Sequence, residues 1–472
     1  MASRIQALAA IAAGAALLVW PAIVNGYPIL FSDTGAFLAQ SLVPLMIWDK
    51  PWVYGPLLHL FHWRITLWLP LVAQGLMMSH LLWLTGRVVW GARPLAHVAL
   101  TTFAAAVTTA PFTIALLMPD VFTAAVVLAL FLLGFGADRL GRWEMLWAGA
   151  VATLGIAAHL SHLPVAAAVI AMGILLRRKL RPALRMTAPL AAALLLLLGT
   201  NLVGHERLSL SPHGSTFLLA RLQADGPAAR TIAALCPDRG WYLCDFTAWM
   251  PMDSDLFLWE RSSPVNRDAA GNDRFLGGAL LSAEAREIVR ETIAREPAAV
   301  ARAMVANTLR QAVTAGAGDV IAQPWSDIDN ATGSRIREFF PAAEAERYAA
   351  SRQADRSLPG IVSPLAWVHA PVLAGGVLLA FYAGWRSFRR GDIRSLALVL
   401  VVLTAAGANA FAAGALSKPH HRYQARIAWL IPVVAVIALL PAPVPGHGHV
   451  PFSRPAYRGG KGQRQRGADS EA

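Results

Sequence analysis

The chain has 472 residues, 56% of them hydrophobic and only 15% charged, where soluble domains carry about a quarter charged. That excludes an ordinary soluble protein, and apolar stretches of about 20 residues, enough to cross a bilayer, recur along it. The net charge of +13 does not point to nucleic acid, because the basic residues fall in short connections between apolar stretches rather than in a basic domain.

The first apolar run, Ile5 to Val24, follows Arg4 as a signal peptide would. It continues through Trp20 without a small-residue cleavage site, so an uncleaved first helix is expected. Further spans are predicted at Ile65 to Leu84, Leu95 to Met118, Val121 to Phe135, Met145 to Ala158 and Leu163 to Leu176. Four more follow at Met186 to Val203, Pro364 to Trp385, Leu396 to Leu416 and Ile427 to Leu440, ten in all. The fifth and sixth are short. They either tilt or form a hairpin whose tip, His159-Leu160-Ser161-His162, stops inside the protein, where interrupted helices line a cavity.

Loop charge sets the expected orientation. Arg87, Arg93, Arg139, Arg142, the run from Arg177 to Arg185, the group from Arg386 to Arg394 and the tail from Arg454 all fall on one side. Both termini are therefore expected in the cytoplasm of a bacterial inner-membrane protein. On the opposite, periplasmic side fall the Asp33 loop, the Met118-Pro119-Asp120 turn, the His159/His162 tip, Gly204 to Ser363, and Ser417 to Arg426.

The expected fold is an all-α polytopic membrane protein with a smaller mixed extracytoplasmic domain. A bundle at 1–203 includes a first outer loop at 25–64, and the domain spans 204–363. C-terminal helices occupy 364–440, and a Pro-, Gly- and Arg-rich tail at 441–472 is expected to be disordered. Within the domain, Ser282 to Thr314 is predicted helical, with Ser282 as cap, Glu284 in the first turn and Pro297 as an interruption. Its first half, with Trp241-Tyr242, Asp253, Asp255 and Trp259, reads as irregular structure and short strands. Cys236 and Cys244 are the only cysteines. They are either a disulfide closing a short loop in an oxidising compartment or two buried thiols.

Ionisable residues at span edges are costly to desolvate and mark a cavity or a structural pair. Asp33 and Asp120 therefore stand out, although each also precedes a helix and could cap it. If they share a cleft, one deprotonates a nucleophile while the other positions it or holds a divalent cation, the one cofactor to be considered. Lys418-Pro419-His420-His421-Arg422-Tyr423-Gln424-Ala425-Arg426 is the dense cationic cluster on the outer side. Its guanidinium and imidazole groups suit a phosphate, or anchor to anionic headgroups of membrane lipid. Lys50, Tyr54, His59 and His162 are further candidates for contact with the substrate. The pairs His59/His62 and His159/His162 each share a helical face, yet the sequence places no third metal ligand beside them. No HExxH, GxSxG, Walker loop or strand-linked GxGxxG occurs, which argues against an ATP-driven pump or a zinc protease.

These residues carry a resemblance. Asp33, the stretch Lys50-Pro51-Trp52-Val53-Tyr54-Gly55-Pro56, the opening Pro119-Asp120-Val121-Phe122 and the late His421-Arg422-Tyr423 look like the layout of GT-C membrane glycosyltransferases. That superfamily uses polyprenyl-phosphate-linked sugars, and the similarity covers the order of spans and loops over most of Ile5 to Leu440. It implies that Asp33 is catalytic, that Asp120 contributes to the site, and that His421, Arg422 and Tyr423 face the lipid phosphate. The chain departs from the pattern in two places: Phe37 stands where Tyr is commoner, and the large domain lies between the seventh and eighth spans. The expected activity is inverting sugar transfer from a lipid-linked donor to a periplasmic acceptor. Arg422, Arg426 and Lys418 would hold the phosphate while Asp33 takes the acceptor proton. The competing expectation is a transporter or flippase for a lipid-linked glycan or another amphiphile. Nothing in the sequence names a protein partner.

Overall fold

A computed structural model describes residues 3–43, 46–321 and 331–440. The tail at 441–472 lies outside the described residues. Among those described there is no β-strand, only two isolated bridges, Ile29 with Leu116 and Arg267 with Asp273. All ten predicted apolar stretches are helical. Among the described residues, four helices are long and apolar enough to cross a membrane: Leu180–His205, Leu358–Arg390, Ile393–Leu416, and the nearly continuous His421–Leu439. Leu358–Arg390 leaves most of its apolar surface uncovered, with Trp367, Leu378, Phe381 and Trp385 facing outward. Such a face is stable in hydrocarbon and not in water, which marks the chain as a membrane protein.

Three of the predicted spans are broken, the tenth at Trp429 between His421–Ala428 and Leu430–Leu439. The first divides at Val19 into Arg4–Leu18 and Trp20–Asn25, with Pro21 in the first turn of the second piece. The third divides at Thr108 into Pro94–Val107 and Ala110–Ile114, with Pro111 in the same place. Proline fits a first helical turn, where its missing N–H is not needed, and each break restarts there.

The apolar side chains form two cores. The larger runs from Leu18 to Ala438 and includes the whole of Val121–Phe135, which is buried all round. The smaller is made from residues between Leu219 and Val300. The stretch 204–363 is thus divided, because Val320, Ile336, Phe340, Tyr348 and Leu358 pack into the larger core. Its first half is helical where short strands were expected: Gly214–Ala224, Pro227–Arg239, the 3-10 turn Tyr242–Trp249, and Ser254–Trp259. Asp253 caps the last of these by accepting from Asp255 N and Leu256 N. Cys236 and Cys244 are joined, with their Cα atoms 5.2 Å apart, tying Pro227–Arg239 to the 3-10 turn.

Candidate functional site

Two extended segments, one on each side of a helix start, bring the acidic residues together. Ile29 N donates to Ala115 O (3.2 Å), Leu117 N donates to Ile29 O (3.0 Å), and Thr34 Oγ1 donates to Leu117 O (3.1 Å). The Gln353 amide clamps the same strip from the far side, accepting from Leu30 N (3.0 Å) and donating to Leu30 O (2.7 Å). Gly35 N donates to Thr332 Oγ1 at 3.0 Å. A Cβ at Gly35 would lie 2.8 Å from the Thr332 backbone, so this approach of Ala331–Phe339 to Ser32–Leu42 requires glycine.

Neither aspartate is a cap. Thr34 Oγ1 closes the first turn of Ser32–Leu42 by accepting from Phe31 N (2.9 Å), which leaves Asp33 free to point elsewhere. Asp120 precedes Val121–Phe135 and its side chain makes no capping bond.

Arg422 and Arg426 lie at i and i+4 of His421–Ala428, hence on one helical face. They straddle the buried Asp120 carboxylate: Arg422 Nη1 is 3.5 Å from Oδ2, and Arg426 Nη1 is 3.6 Å from Oδ1. These separations are long for hydrogen bonds. Both Nη1 atoms and Asp120 Oδ1 are buried without a hydrogen-bond partner among the described residues. Their remaining positions are fixed. Arg426 donates to Asn409 Oδ1 from Nε (3.1 Å) and Nη2 (2.8 Å), and to Ser161 Oγ (2.8 Å), whose hydroxyl lies 2.7 Å from His159 Nδ1. Arg422 lies 4.0 Å from the Phe31 ring centre, and the Tyr423 ring lies between both guanidiniums at 5.1 and 5.4 Å. Asp319 Oδ2 accepts from Arg422 N (3.1 Å).

Asp33 is the accessible member of the group, its side chain 35% exposed. Lys50 Nζ lies 3.3 Å from Asp33 Oδ1 and also pairs closely with Asp49. Burial opposes the charge on Asp33, but Lys50 and Arg422 outweigh it and hold the carboxyl below the ordinary carboxylate range. Burial likewise opposes the Lys50 charge, and Asp33 and Asp49 overcome it, raising its pKa. Above Lys50 lie Phe37 (5.9 Å) and Trp259 (5.7 Å), the latter from Ser254–Trp259.

Other candidates lie apart from this cluster. Lys418 pairs with Asp253 (2.8 Å) and Asp255 (3.0 Å), and His420 Nε2 lies 3.0 Å from Asp255. Lys418 and His420 thus join the last loop to Ser254–Trp259 beside the smaller core. His421 is exposed and its ring turns toward Gly316. His59 packs on His62, and His62 on Phe340, leading away from the carboxylates. His162 is satisfied by Thr123 Oγ1 (2.8 Å) and Gly155 O (2.6 Å). Tyr54 donates to Gln74 Oε1 (2.7 Å), and Gln74 in turn donates to Ile114 O and Leu116 O, so Tyr54 braces the Asp120 strip.

Asp120 faces two guanidiniums and Asp33 an ammonium, so positive charge already stands against both carboxylates. A cavity of about 20 Å³ beside the arginine helix, lined by Thr109, His369, Ala428 and Trp429, has room for one water molecule and not a sugar.

No family model matches. No curated protein and no solved structure resembles this chain closely enough to count as a match either.

Among residues the sequence reading left out, Asn409 had a visible signal as the one amide within the apolar run Ala405–Phe411. Asp319 had none, since it acts through a partner far away in the chain.

Proposed function

We propose that the chain is a membrane glycosyltransferase that moves a sugar from a polyprenyl-phosphate donor to an acceptor hydroxyl on the periplasmic face of a bacterial inner membrane. The ten apolar helices would form its transmembrane body, with both termini cytoplasmic. One observation supports this above all. A partly open, anionic carboxylate, Asp33, feels the charge of Arg422, one of a buried arginine pair whose Nη1 groups make no hydrogen bond among the described residues.

In this reading the donor phosphate competes with Asp120 for the Nη1 groups of Arg422 and Arg426, which make no hydrogen bond among the described residues, and charge-assisted bonds are the strongest it can form there. The acceptor oxygen attacks the anomeric carbon as its proton passes to Asp33. The bond from that carbon to the phosphate oxygen breaks, and the electron pair leaves on polyprenyl phosphate. The configuration at the anomeric carbon inverts. A base held below the ordinary range is a weak one, but the arriving phosphate adds negative charge beside Lys50 and Arg422. That raises the proton affinity of Asp33 at the moment it is needed. The buried arginines favour the phosphate more as its charge grows in the transition state.

Arg422→Lys tests the phosphate role. Lysine keeps a charge for Asp120 but loses the planar fork that serves two oxygens at once. Polyprenyl-phosphate binding, read as product inhibition or by calorimetry in detergent, is expected to weaken about tenfold, the loss of one such bond. Unchanged binding would remove Arg422 from the site.

A further inference from the structure

The helix Pro297–Val313 buries two amides beside Val300, which packs in the smaller core. Asn307 Nδ2 donates to Asp225 Oδ2 (2.9 Å), and Gln311 exchanges two hydrogen bonds with the His420 backbone, both 2.9 Å. A Cβ at Gly414 would run into the Asn307 carbonyl, so this helix and Ile393–Leu416 touch backbone to backbone there. Facing outward are Val305 (59% exposed), Leu309 (65%) and Val313 (84%), one stripe at i, i+4 and i+8. A water-facing helix shows the reverse arrangement. Apolar side chains left in water forfeit the free energy that burial would give them.

What covers the stripe is indicated by its surroundings. Phe411, one turn before Gly414 on a helix fit to cross the membrane, is also exposed and continues the apolar surface. Arg302 and Arg310 are exposed on the same helix, and the segment from Pro297 to Val313 contains no acidic residue. Two copies paired through this face would oppose arginine to arginine, whereas lipid headgroups offer phosphates to both.

We propose that Val305, Leu309 and Val313 are bedded in the acyl chains of the bilayer, with Arg302 and Arg310 at the headgroups. The helix that follows the smaller core is then a lipid-facing helix rather than part of a water-exposed domain. This placement does not depend on the catalytic reading.

The natural cysteines are joined to each other and no other is present, so one introduced thiol takes one label. The test uses the full chain in nanodiscs of phosphatidylcholine and phosphatidylglycerol, with bimane on Val305→Cys or Leu309→Cys and on Phe275→Cys as an aqueous control (Phe275 is well exposed). Dibrominated lipid is expected to remove roughly half the emission at 305 and 309, the depth expected of an interfacial helix. Iodide should quench at 275 alone. Iodide quenching at 309 equal to that at 275 would overturn the proposal. Exclusion of both quenchers, with cross-links between copies through a thiol at 309, would overturn it too and point to self-association.

Discussion

Asp33→Asn should lower sugar transfer by about 10²–10⁴-fold, the usual contribution of a general base, while the protein stays folded. The two halves of that result have separate causes. The amide keeps the shape of the carboxylate and its place in the first turn but takes no proton. Folding is spared because Asp33 is partly open, Lys50 retains Asp49, and the turn is closed by Thr34. Partly exposed ion pairs contribute at most about 1 kcal/mol. The acid limb of kcat/KM, which reports the free enzyme, should fall below the ordinary carboxylate range of about 4. Lys50 and Arg422 keep Asp33 ionised there against the effect of burial. Full activity in the Asn variant, in a pH-resolved transfer assay, would exclude Asp33 as the base.

Asp120→Asn should do the opposite, lowering stability by about 3–5 kcal/mol, the cost of leaving a buried charge without its partner. Arg422 and Arg426 are both buried and both face this one carboxylate. Thermal unfolding in detergent would read the loss, and adding Arg422→Gln should restore part of it, because the pair is coupled. A variant as stable as the parent would mean that the arginines find their compensation elsewhere.

The contrast between the two aspartates was only half legible in the sequence. Both stand out as isolated acids at the ends of apolar runs, and Arg422 and Arg426 announce a common face by their spacing. Which acid is open and which is enclosed depends on Gln353, Thr332 and the strip at Ile29, contacts separated by up to hundreds of residues. Lys418 and His420 show the same limit. Charge density alone suggested a ligand for them, and the contacts they make with Asp253 and Asp255, far back in the chain, could not be read from it. Apolar length located all ten helical stretches but not their breaks at Val19, Thr108 and Trp429, where a proline two or three residues on was the available cue. The aromatic Trp241-Tyr242 favoured a strand by propensity. A disulfide and packing on the smaller core bend it into a 3-10 turn, a case of tertiary context overriding local preference.

The central claim is that the charged cluster breaks a sugar–phosphate bond rather than passing an intact lipid across. The most direct measurement uses a polyprenyl-phosphate-hexose labelled separately in its sugar and its phosphate, incubated with the full chain in sealed vesicles and a panel of acceptor hydroxyls. The account predicts that the two labels part, sugar going to an acceptor and phosphate staying with the lipid, and that Asp33→Asn stops the separation. Movement of both labels together from one leaflet to the other, unaffected by that substitution, would contradict it.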